Sequence, residues 1–432
     1  MKKGLILLLL VLSVSKIFAQ DPEVRVRIMY TEDKIELSSG SKLYVFNQDE
    51  KRIVLRGDRT FSIELKDSTL ELIDDKDRTL TSGTSLLIEN NDKNKAIGIK
   101  QVPFGIGWFW AGKEDRIYRG DLEFHINSDN KIDVISILDI ETYLLGVVPS
   151  EIGTDAPLEA LKAQAICARS EAVIGLETGK YAGAHHLLTA DIYCQVYSGI
   201  GKTNDEVEKA VLETRGEVLT ANDTVISAYY ASNCGGHSEN IENVWPERSG
   251  HAQQWSGHPD MDGEIDLDLT QADDIREWIN SVPDCWCKPS DATPEWSKQH
   301  FRWTRSITPE ELSAAVAEKV KDVGLIYEIV PLERGVSGRI YDILFIGDKG
   351  HCRLKGELNI RMLWASPLKS SCFFIDKIGP VEKPVSFIFK GAGWGHGVGM
   401  CQTGAIAQAN AGRTYRDILA HYFRGTKVEK KY

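Results

Sequence analysis

The chain has 432 residues, with 51 Lys and Arg against 63 Asp and Glu, so its formal charge is −12. This acidic balance argues against the cationic surface with which proteins hold nucleic acid, and we expect no nucleic-acid partner. A hydrophobic fraction of 42% and a charged fraction of 26% exclude a disordered or collagen-like chain, and the length indicates two or three domains.

The first nineteen residues have the layout of a secretory signal. Lys2 and Lys3 precede an apolar run at 5–14, and Ala19 places a small residue before a cleavage point near Gln20. We therefore expect an exported protein, periplasmic or extracellular. No later segment approaches the ~20 apolar residues of a spanning helix, so no transmembrane segment is predicted.

Residues 20–120 are predicted to form a β-rich N-terminal domain. Short stretches at 24–28, 42–46 and 60–65 alternate apolar and polar residues, and turn-rich pieces separate them. A period of two is typical of half-buried strands.

The pattern changes to mixed α/β after residue 120, so the predicted fold class is α+β, with a second domain at 121–428. A strand at 132–138 is followed by a helix at 156–177, for which Asp155 is a candidate N-cap and Gly179 a stop. Further helices are predicted at 203–214, 308–320 and 415–424, and further strands at 225–230, 338–346 and 383–390. Segment 248–300 has little periodicity and is interpreted as an insertion or long loop.

Eight cysteines occur in the chain, and their even number permits disulfides without fixing the pairing. Only Cys285 and Cys287 are closely spaced. A single CxC pair is a weak indication of zinc, so a disulfide or buried thiols remain open there.

Glu151 is the first candidate for chemistry. It lies in a Pro149-Ser150-Glu151-Ile152-Gly153 turn ahead of the predicted helix. The helix N-terminus would favour its anion, and apolar neighbours would favour its neutral acid. A carboxyl of raised pKa could protonate a glycosidic oxygen, whereas the structural alternative is a helix-capping Glu.

A second candidate is the glycine-rich segment 391–400, which carries Trp394 and His396. Its backbone could approach a ligand closely while Trp394 offers a flat face to a sugar. A tight glycine hairpin with a packed histidine is the alternative.

Two weaker arrangements remain. Cys234 and His237 share a glycine loop and could form a nucleophile pair, with His237 or His396 as base, but a structural loop is the simpler interpretation. His185, His186 and Cys194 could ligate a metal, although adjacent histidines usually point apart.

Taken together, these segments resemble the SpoIID/LytB family of bacterial sporulation and cell-wall proteins. The matching stretches begin at 143–151 and 158–169 and continue through 194–197, Gly235-Gly236 towards Trp245, 337–339 and 393–405.

The resemblance implies a mixed α/β domain with a long substrate groove and a lytic transglycosylase that acts on peptidoglycan strands stripped of stem peptides, without a diffusible cofactor. Glu151 matches the catalytic acid and base. The residues expected to bind substrate on this basis are Arg169, Tyr197, Ser232, Gly235, Gly236, Trp394, His396 and Gln402.

The family pattern also implies a zinc set in some members, from which this chain departs. Tyr193 and Leu188 stand where a His and a Cys are expected, and only Cys194 remains. We therefore expect no metal, with zinc at Cys194 or at Cys285 and Cys287 left open. The LytB branch implies a rival function, a glycan-binding module that stimulates a cell-wall amidase. A cysteine hydrolase using Cys234 is a third alternative.

Overall fold

The computed structural model describes residues 21–106, 110–248 and 253–432. The predicted secretory signal at 1–19 lies outside these residues. The first part of the fold consists of twelve strands: β1 (Glu23–Thr31), β2 (Ile35–Ser39), β3 (Leu43–Asn47), β4 (Arg52–Leu55), β5 (Thr60–Lys66), β6 (Thr69–Asp74), β7 (Thr79–Gly83), β8 (Ser85–Asn90), β9 (Ile97–Phe104), β10 (Gly112–Tyr118), β11 (Asp121–Ile126) and β12 (Ile132–Asp139). The α+β class and the β-rich N-terminal region are confirmed.

Two sheets organise these strands. One has the order β1-β12-β11-β8-β3-β4, with a short later strand, Leu188–Thr189, paired to the outer edge of β1, and the other has the order β10-β9-β2-β5-β6-β7. Alternate side chains, such as Val24 and Val26 of β1, point into a common core, as the period of two predicts. Because β1 pairs with β12 along its whole length, the first sheet continues across residue 120. The division into domains at residue 120 stays a prediction.

The remainder of the chain alternates helices and short strands. The helices are α1 (Ile140–Glu151), α2 (Leu158–Thr178), α3 (Asp205–Glu213), α4 (Ile241–Val244), α5 (Ala272–Asn280), α6 (Glu295–Lys298), α7 (Pro309–Lys319), α8 (Glu357–Arg361), α9 (Gln402–Asn410) and α10 (Tyr415–Tyr422). The strands are β13 (Leu188–Thr189), β14 (Glu217–Ala221), β15 (Thr224–Val225), β16 (Tyr230–Ala231), β17 (Arg302–Ile307), β18 (Ile326–Arg334), β19 (Ile340–Gly347), β20 (Gly350–Lys355), β21 (Phe373–Ile378), β22 (Ser386–Ala392), β23 (Met400–Cys401) and β24 (Lys427–Lys430).

Helix α2 is the central helix of this part. Its alanines at 160, 165, 168 and 172 are fully buried and let neighbouring elements approach closely. Gly179 ends the helix in the left-handed region at φ 58°, as predicted. The predicted cap was wrong, because Pro157 occupies the N-cap position and Asp155 lies outside the helix.

Other helix predictions are confirmed with small shifts of their ends. Helix α10 begins with a reciprocal capping box between Thr414 and Asp417, and α7 with one between Thr308 and Glu311. Helix α3 begins at the side chain of Asn204.

Two predictions for the middle of the chain were wrong. No continuous strand spans 225–230. Strand β15 ends at Val225 and β16 begins at Tyr230, and the backbone between them is irregular. Segment 248–300 is not only loop, because it contains α5, whose Ile275, Trp278 and Ile279 are buried at helical spacing.

The short sheets bring distant segments together. Strand β16 pairs in parallel with β23, so Tyr230 lies opposite Met400 and Ala231 opposite Cys401. Strand β22 lies between β17 and β21, and β19 between β18 and β20. No described helix combines the length and apolarity needed to cross a bilayer.

Candidate functional site

Glu151 is the last residue of α1, so the expected turn ahead of the long helix was wrong. Helix α1 begins at an Asp139 cap and runs through Pro149. Its Gly146 packs so tightly that a Cβ there would lie 2.5 Å from the Tyr197 ring and from the Gly199 carbonyl. This close contact fixes the position of the helix end that carries Glu151.

The carboxyl of Glu151 is half-buried and accepts a hydrogen bond from the Val196 amide at 2.7 Å. Burial raises its pKa from 4.5 to about 7, while the Val196 amide and the Tyr230 hydroxyl oppose that shift by favouring the anion. The negative end of the α1 dipole also disfavours a charged carboxylate. Both protonation states are therefore accessible near neutral pH, as a general acid and base requires.

Three side chains form a hydrogen-bond network around Glu151: Gln402, Tyr230 and Gln195. The Gln402 amide donates to the Glu151 main-chain oxygen and to Gln164 Oε1, both at 3.0 Å. Tyr230 donates to Gln195 Oε1 at 2.7 Å, and Gln195 donates to the Ala168 oxygen at 3.1 Å. Gln402 is only 3% exposed. In this arrangement Gln402 holds the main chain of Glu151, and its expected contact with substrate stays a prediction.

A row of aromatic rings runs beside the α1 end, and we call Trp296, His300, Trp394 and Trp110 the aromatic row. Neighbouring centroids are separated by 5.8 Å (Trp296 to His300), 4.2 Å (His300 to Trp394) and 6.4 Å (Trp394 to Trp110). Lys369 Nζ lies 5.5 Å from the Trp394 centroid. The three tryptophans are partly exposed, whereas His300 is buried. Exposed indole rings offer faces on which sugars stack.

The aromatic row begins close to Glu151. A Cβ at Gly153, two residues after Glu151, would lie 3.8 Å from Trp296 Nε1. Ser232 is half-buried, and its hydroxyl lies 3.0 Å from His300 Nδ1. Ser232 thus borders the row, to which Trp394 belongs. His300 and Trp296 were missed because nothing in their local sequence marks them.

His396 is held as a neutral ring. Its Nδ1 accepts from the Val398 amide at 3.0 Å, and the ring packs on Trp245 at 4.9 Å. Burial first, and then the charges of Arg361 and Arg339, lower its pKa to about 3. The His396 ring is therefore uncharged at neutral pH, where it is a poor proton acceptor.

Arg169, which was expected to contact substrate, lies in the interior of the protein. The side chain is fully buried and forms a two-point ion pair with Glu141, at 2.8 and 2.7 Å. A third nitrogen donates to the Glu217 oxygen at 3.0 Å. Arg169 thus ties α2 to α1 and β14, and its guanidinium is not open to a glycan.

Three further residues that were expected to bind substrate are also buried: Tyr197, Gly235 and Gly236. Tyr197 fills the space beside Gly146, as described above. The two glycines have φ of 81° and 104°, and a Cβ would lie 2.9 Å from Ala392 Cβ or 2.6 Å from the Trp278 ring. Glycine is needed at both positions for backbone shape and close packing.

The Cys234 nucleophile pair is not formed. Cys234 Sγ contacts Asp260 and Cys287, while His237 Nδ1 hydrogen-bonds to the Ser238 oxygen at 2.7 Å. His185 and His186 point apart as predicted. His185 stacks on His125 at 3.7 Å, and His186 packs on Tyr181 at 4.9 Å.

A second carboxyl was missed by the sequence reasoning. Glu171, on α2, accepts from the Ala228 amide, and burial raises its pKa to about 7. It acts electrostatically on Tyr230, as Glu151 does. In the sequence it looks like any polar residue of an amphipathic helix, so no local signal distinguishes it.

Two family models match separate parts of the chain. SpoIID, described as a Stage II sporulation protein, matches residues 128–220. That stretch contains Glu151 and the whole of α2. A domain of unknown function (DUF8618) matches residues 253–399. The second match includes most of the aromatic row.

Similar proteins include an uncharacterized protein of Brachyspira hyodysenteriae, 28% identical over 369 residues, which are 81% of this chain and 83% of that protein. The amidase enhancer of Bacillus subtilis is 27% identical over 311 residues, 66% of this chain and 40% of that protein. Stage II sporulation protein D of Bacillus subtilis is 26% identical over 306 residues, 68% of this chain and 75% of that protein. The chain therefore spans less than half the length of the amidase enhancer.

Proposed function

Because the chain belongs to the SpoIID/LytB family, we propose that it is a peptidoglycan lytic transglycosylase in which Glu151 is the general acid and base. The observation that carries this proposal is the carboxyl of Glu151, whose pKa is raised to about 7 at the start of the aromatic row. A proton donor of that pKa is matched to neutral pH.

The proposed reaction uses one carboxyl twice. Neutral Glu151 gives its proton to the oxygen between N-acetylmuramic acid and N-acetylglucosamine, and that bond breaks as an oxocarbenium-like sugar develops. The resulting carboxylate then takes the proton of the C6 hydroxyl, whose oxygen bonds to C1 and closes a 1,6-anhydro ring. Atoms balance without water, and Glu151 is again neutral. No second carboxylate is needed.

The Val196 amide fits both halves of this cycle. It stabilises the carboxylate that forms after proton donation, and burial stabilises the acid that precedes it. Gln402 fixes the main chain of Glu151 without touching the carboxyl. The proton is therefore held at a defined position beside the rings on which the glycan would stack.

The test is cleavage of purified glycan strands that carry no stem peptides. Wild-type protein should release soluble fragments, and Glu151→Gln should lower the rate by a factor of about 100 or more, since general acid–base catalysis contributes roughly 10²–10⁴. The matched control is Glu206→Gln, on an exposed position of α3, which should keep the wild-type rate. Equal rates for the two variants would reject the role of Glu151.

The amidase enhancer similarity supports a second candidate function, a glycan-binding module that stimulates an N-acetylmuramoyl-L-alanine amidase. In that case the protein alone would cleave no strands. Stimulation of a purified amidase would survive in Glu151→Gln and be lost in Trp394→Ala. Glycan strands are the proposed partner in both cases, and an amidase in the second.

Both functions require a protein outside the cytoplasm, so we also propose export to the periplasm or the extracellular space. The apolar run at 5–14 and the small residue Ala19 support it. N-terminal sequencing of the protein from fractionated cells should find a start near Gln20. A start at Met1 in the cytoplasmic fraction would contradict export.

A further inference from the structure

Three cysteines and one carboxylate from four separate segments meet in the interior, and we call them the Cys3Asp cluster: Cys234, Asp260, Cys287 and Cys401. Their ligand atoms all lie within 4.8 Å of one another. Every member is buried, with exposed fractions from 0 to 3%. This cluster lies outside the site around Glu151 and is not used in the proposed reaction.

We propose that the Cys3Asp cluster binds a structural zinc ion. Zinc in structural sites takes four protein ligands, most often thiolates, at tetrahedral geometry. With bonds of ~2.3 Å to sulfur and ~2.0 Å to oxygen, neighbouring ligand atoms lie roughly 3.5–3.8 Å apart. Cys234 Sγ lies 3.5 Å from Cys287 Sγ and 3.3 Å from Asp260 Oδ2. Both distances are slightly shorter than the expected ones, so these three ligand atoms need to separate only a little to hold the ion.

The surroundings of the cluster favour bound metal. Tyr422 donates to Asp260 Oδ1 at 2.8 Å, which orients the other oxygen, Oδ2, towards the cysteines. The Cys234 amide lies 3.2 Å from Cys401 Sγ, as N–H donors to thiolates do. Hydrogen bonds that orient ligands from outside are a regular feature of metal sites.

Two arginines beside the cluster offset part of the negative charge that would remain on three thiolates and a carboxylate around a divalent ion. The guanidinium of Arg339 donates to the Cys234 oxygen at 3.3 Å, and that of Arg302 donates to the Gly235 oxygen at 3.0 Å. His421 Nε2 lies 3.4 Å from Asp260 Oδ1. A fully enclosed set of four protein ligands leaves no open position, so the ion would be structural and not catalytic.

The zinc set expected from the family resemblance lies elsewhere in the chain. It would involve positions 188, 193 and 194, where Leu188 and Tyr193 supply no ligands and Cys194 Sγ lies 3.8 Å from the Tyr181 hydroxyl. The Cys3Asp cluster uses none of these residues.

The position of the cluster indicates what the ion would do. Asp260 and Cys287 belong to segment 253–300, whereas Cys234 follows β16 and Cys401 ends β23. The ion would therefore fasten that segment to the β16–β23 pair. Gln402, which holds the main chain of Glu151, directly follows Cys401.

The experiment measures metal content in protein purified without added metal. Elemental analysis should find about one zinc per chain in the wild type, as expected for one closed four-ligand site. Cys287→Ser and Cys401→Ser should lose most of it. Cys352→Ser, at a buried cysteine of β20, and Cys194→Ser should retain it. Exchange of zinc for cobalt in the wild type should produce a thiolate-to-cobalt charge-transfer band and the visible bands of a tetrahedral ion.

The cobalt spectrum keeps the test decisive if a cysteine variant fails to fold. Wild-type protein without zinc and without the cobalt bands would overturn the proposal. Zinc retained in both Cys287→Ser and Cys401→Ser, or lost in Cys194→Ser, would also overturn it. So would an intact mass showing a disulfide within the cluster, since a bonded pair requires sulfurs about 2.05 Å apart and cannot serve as two thiolate ligands.

Discussion

The side-chain amide of Gln402 donates a hydrogen bond of 3.0 Å to the main-chain oxygen of Glu151, which lies 251 positions earlier in the chain. That bond connects the first residue of α9 to the end of α1. Gln402, which the family resemblance assigns to substrate binding, thus donates to the main chain of the proposed catalytic residue.

Gln402→Ala is expected to lower kcat roughly tenfold or more with little change in KM, because a displacement near 1 Å at the reacting group can cost up to about a hundredfold. Steady-state kinetics on glycan strands without stem peptides measures kcat and KM separately. The control is Gln164→Ala, which removes the other acceptor of the same amide and keeps the bond to Glu151. Equal loss of kcat in both variants would assign Gln402 a merely structural role.

The raised pKa of Glu151 predicts how stability depends on pH. The folded state favours the neutral acid, so this contribution is fully present below the ordinary value of 4.5 and is lost as pH rises to about 7. At pH 8 the buried anion should cost up to about 3 kcal/mol, from 1.36 kcal/mol per pKa unit. Glu151→Gln should therefore be more stable than wild type at pH 8 and about equal at pH 4.

Denaturant unfolding of both proteins at the two pH values measures this difference. A Glu151→Gln protein that is no more stable than wild type at pH 8 would show that the carboxyl is not desolvated. Cleavage should likewise decline above pH 7, because the fraction of protein with neutral Glu151 falls there.

Arg169→Ala is expected to destabilise the fold by about 3–5 kcal/mol, because it leaves the Glu141 carboxylate buried without its partner. Thermal unfolding compared with Arg215→Ala measures the effect. Arg215 forms an ion pair with Asp21 but is 53% exposed, so its loss should matter far less. An Arg169→Ala protein of normal stability that fails to bind glycan would restore the substrate-contact interpretation.

Trp394→Ala should weaken retention on insoluble glycan roughly tenfold, equivalent to about 1.4 kcal/mol, through loss of a stacking face in the aromatic row. Tyr30→Ala is a matched control, since Tyr30 is 43% exposed on β1. A pull-down at several glycan concentrations gives the affinities. The same loss in both variants would indicate nonspecific adsorption.

Local patterns predicted the elements that local interactions determine. The alanine spacing of α2 and the Thr414 capping box each depend on residues a few positions apart. Both the helix and the capping box are present in the structure. Helix α1 was missed because Pro149 normally ends a helix, since it lacks an amide donor. Helix α5 could have been found from the spacing of its buried apolar residues.

Contacts between residues that are far apart in the chain account for the parts of the site that were not predicted. Glu151 was identified from its motif, but its Val196 partner is 45 positions away. Arg169 was assigned to substrate because the motif does not show that Glu141 is its partner. The cluster of Cys234 and Cys401 forms across 167 positions. Local spacing in the sequence does not indicate which distant residues will be in contact.

The most direct test of the central claim is the chemistry of the new chain ends. Stripped glycan strands digested in water labelled with heavy oxygen should yield muramic ends that are one water lighter than hydrolysed ends and carry no label. These ends should be absent with Glu151→Gln. Labelled reducing ends would show that water attacks and that the protein is a hydrolase, which would contradict the single-carboxyl mechanism.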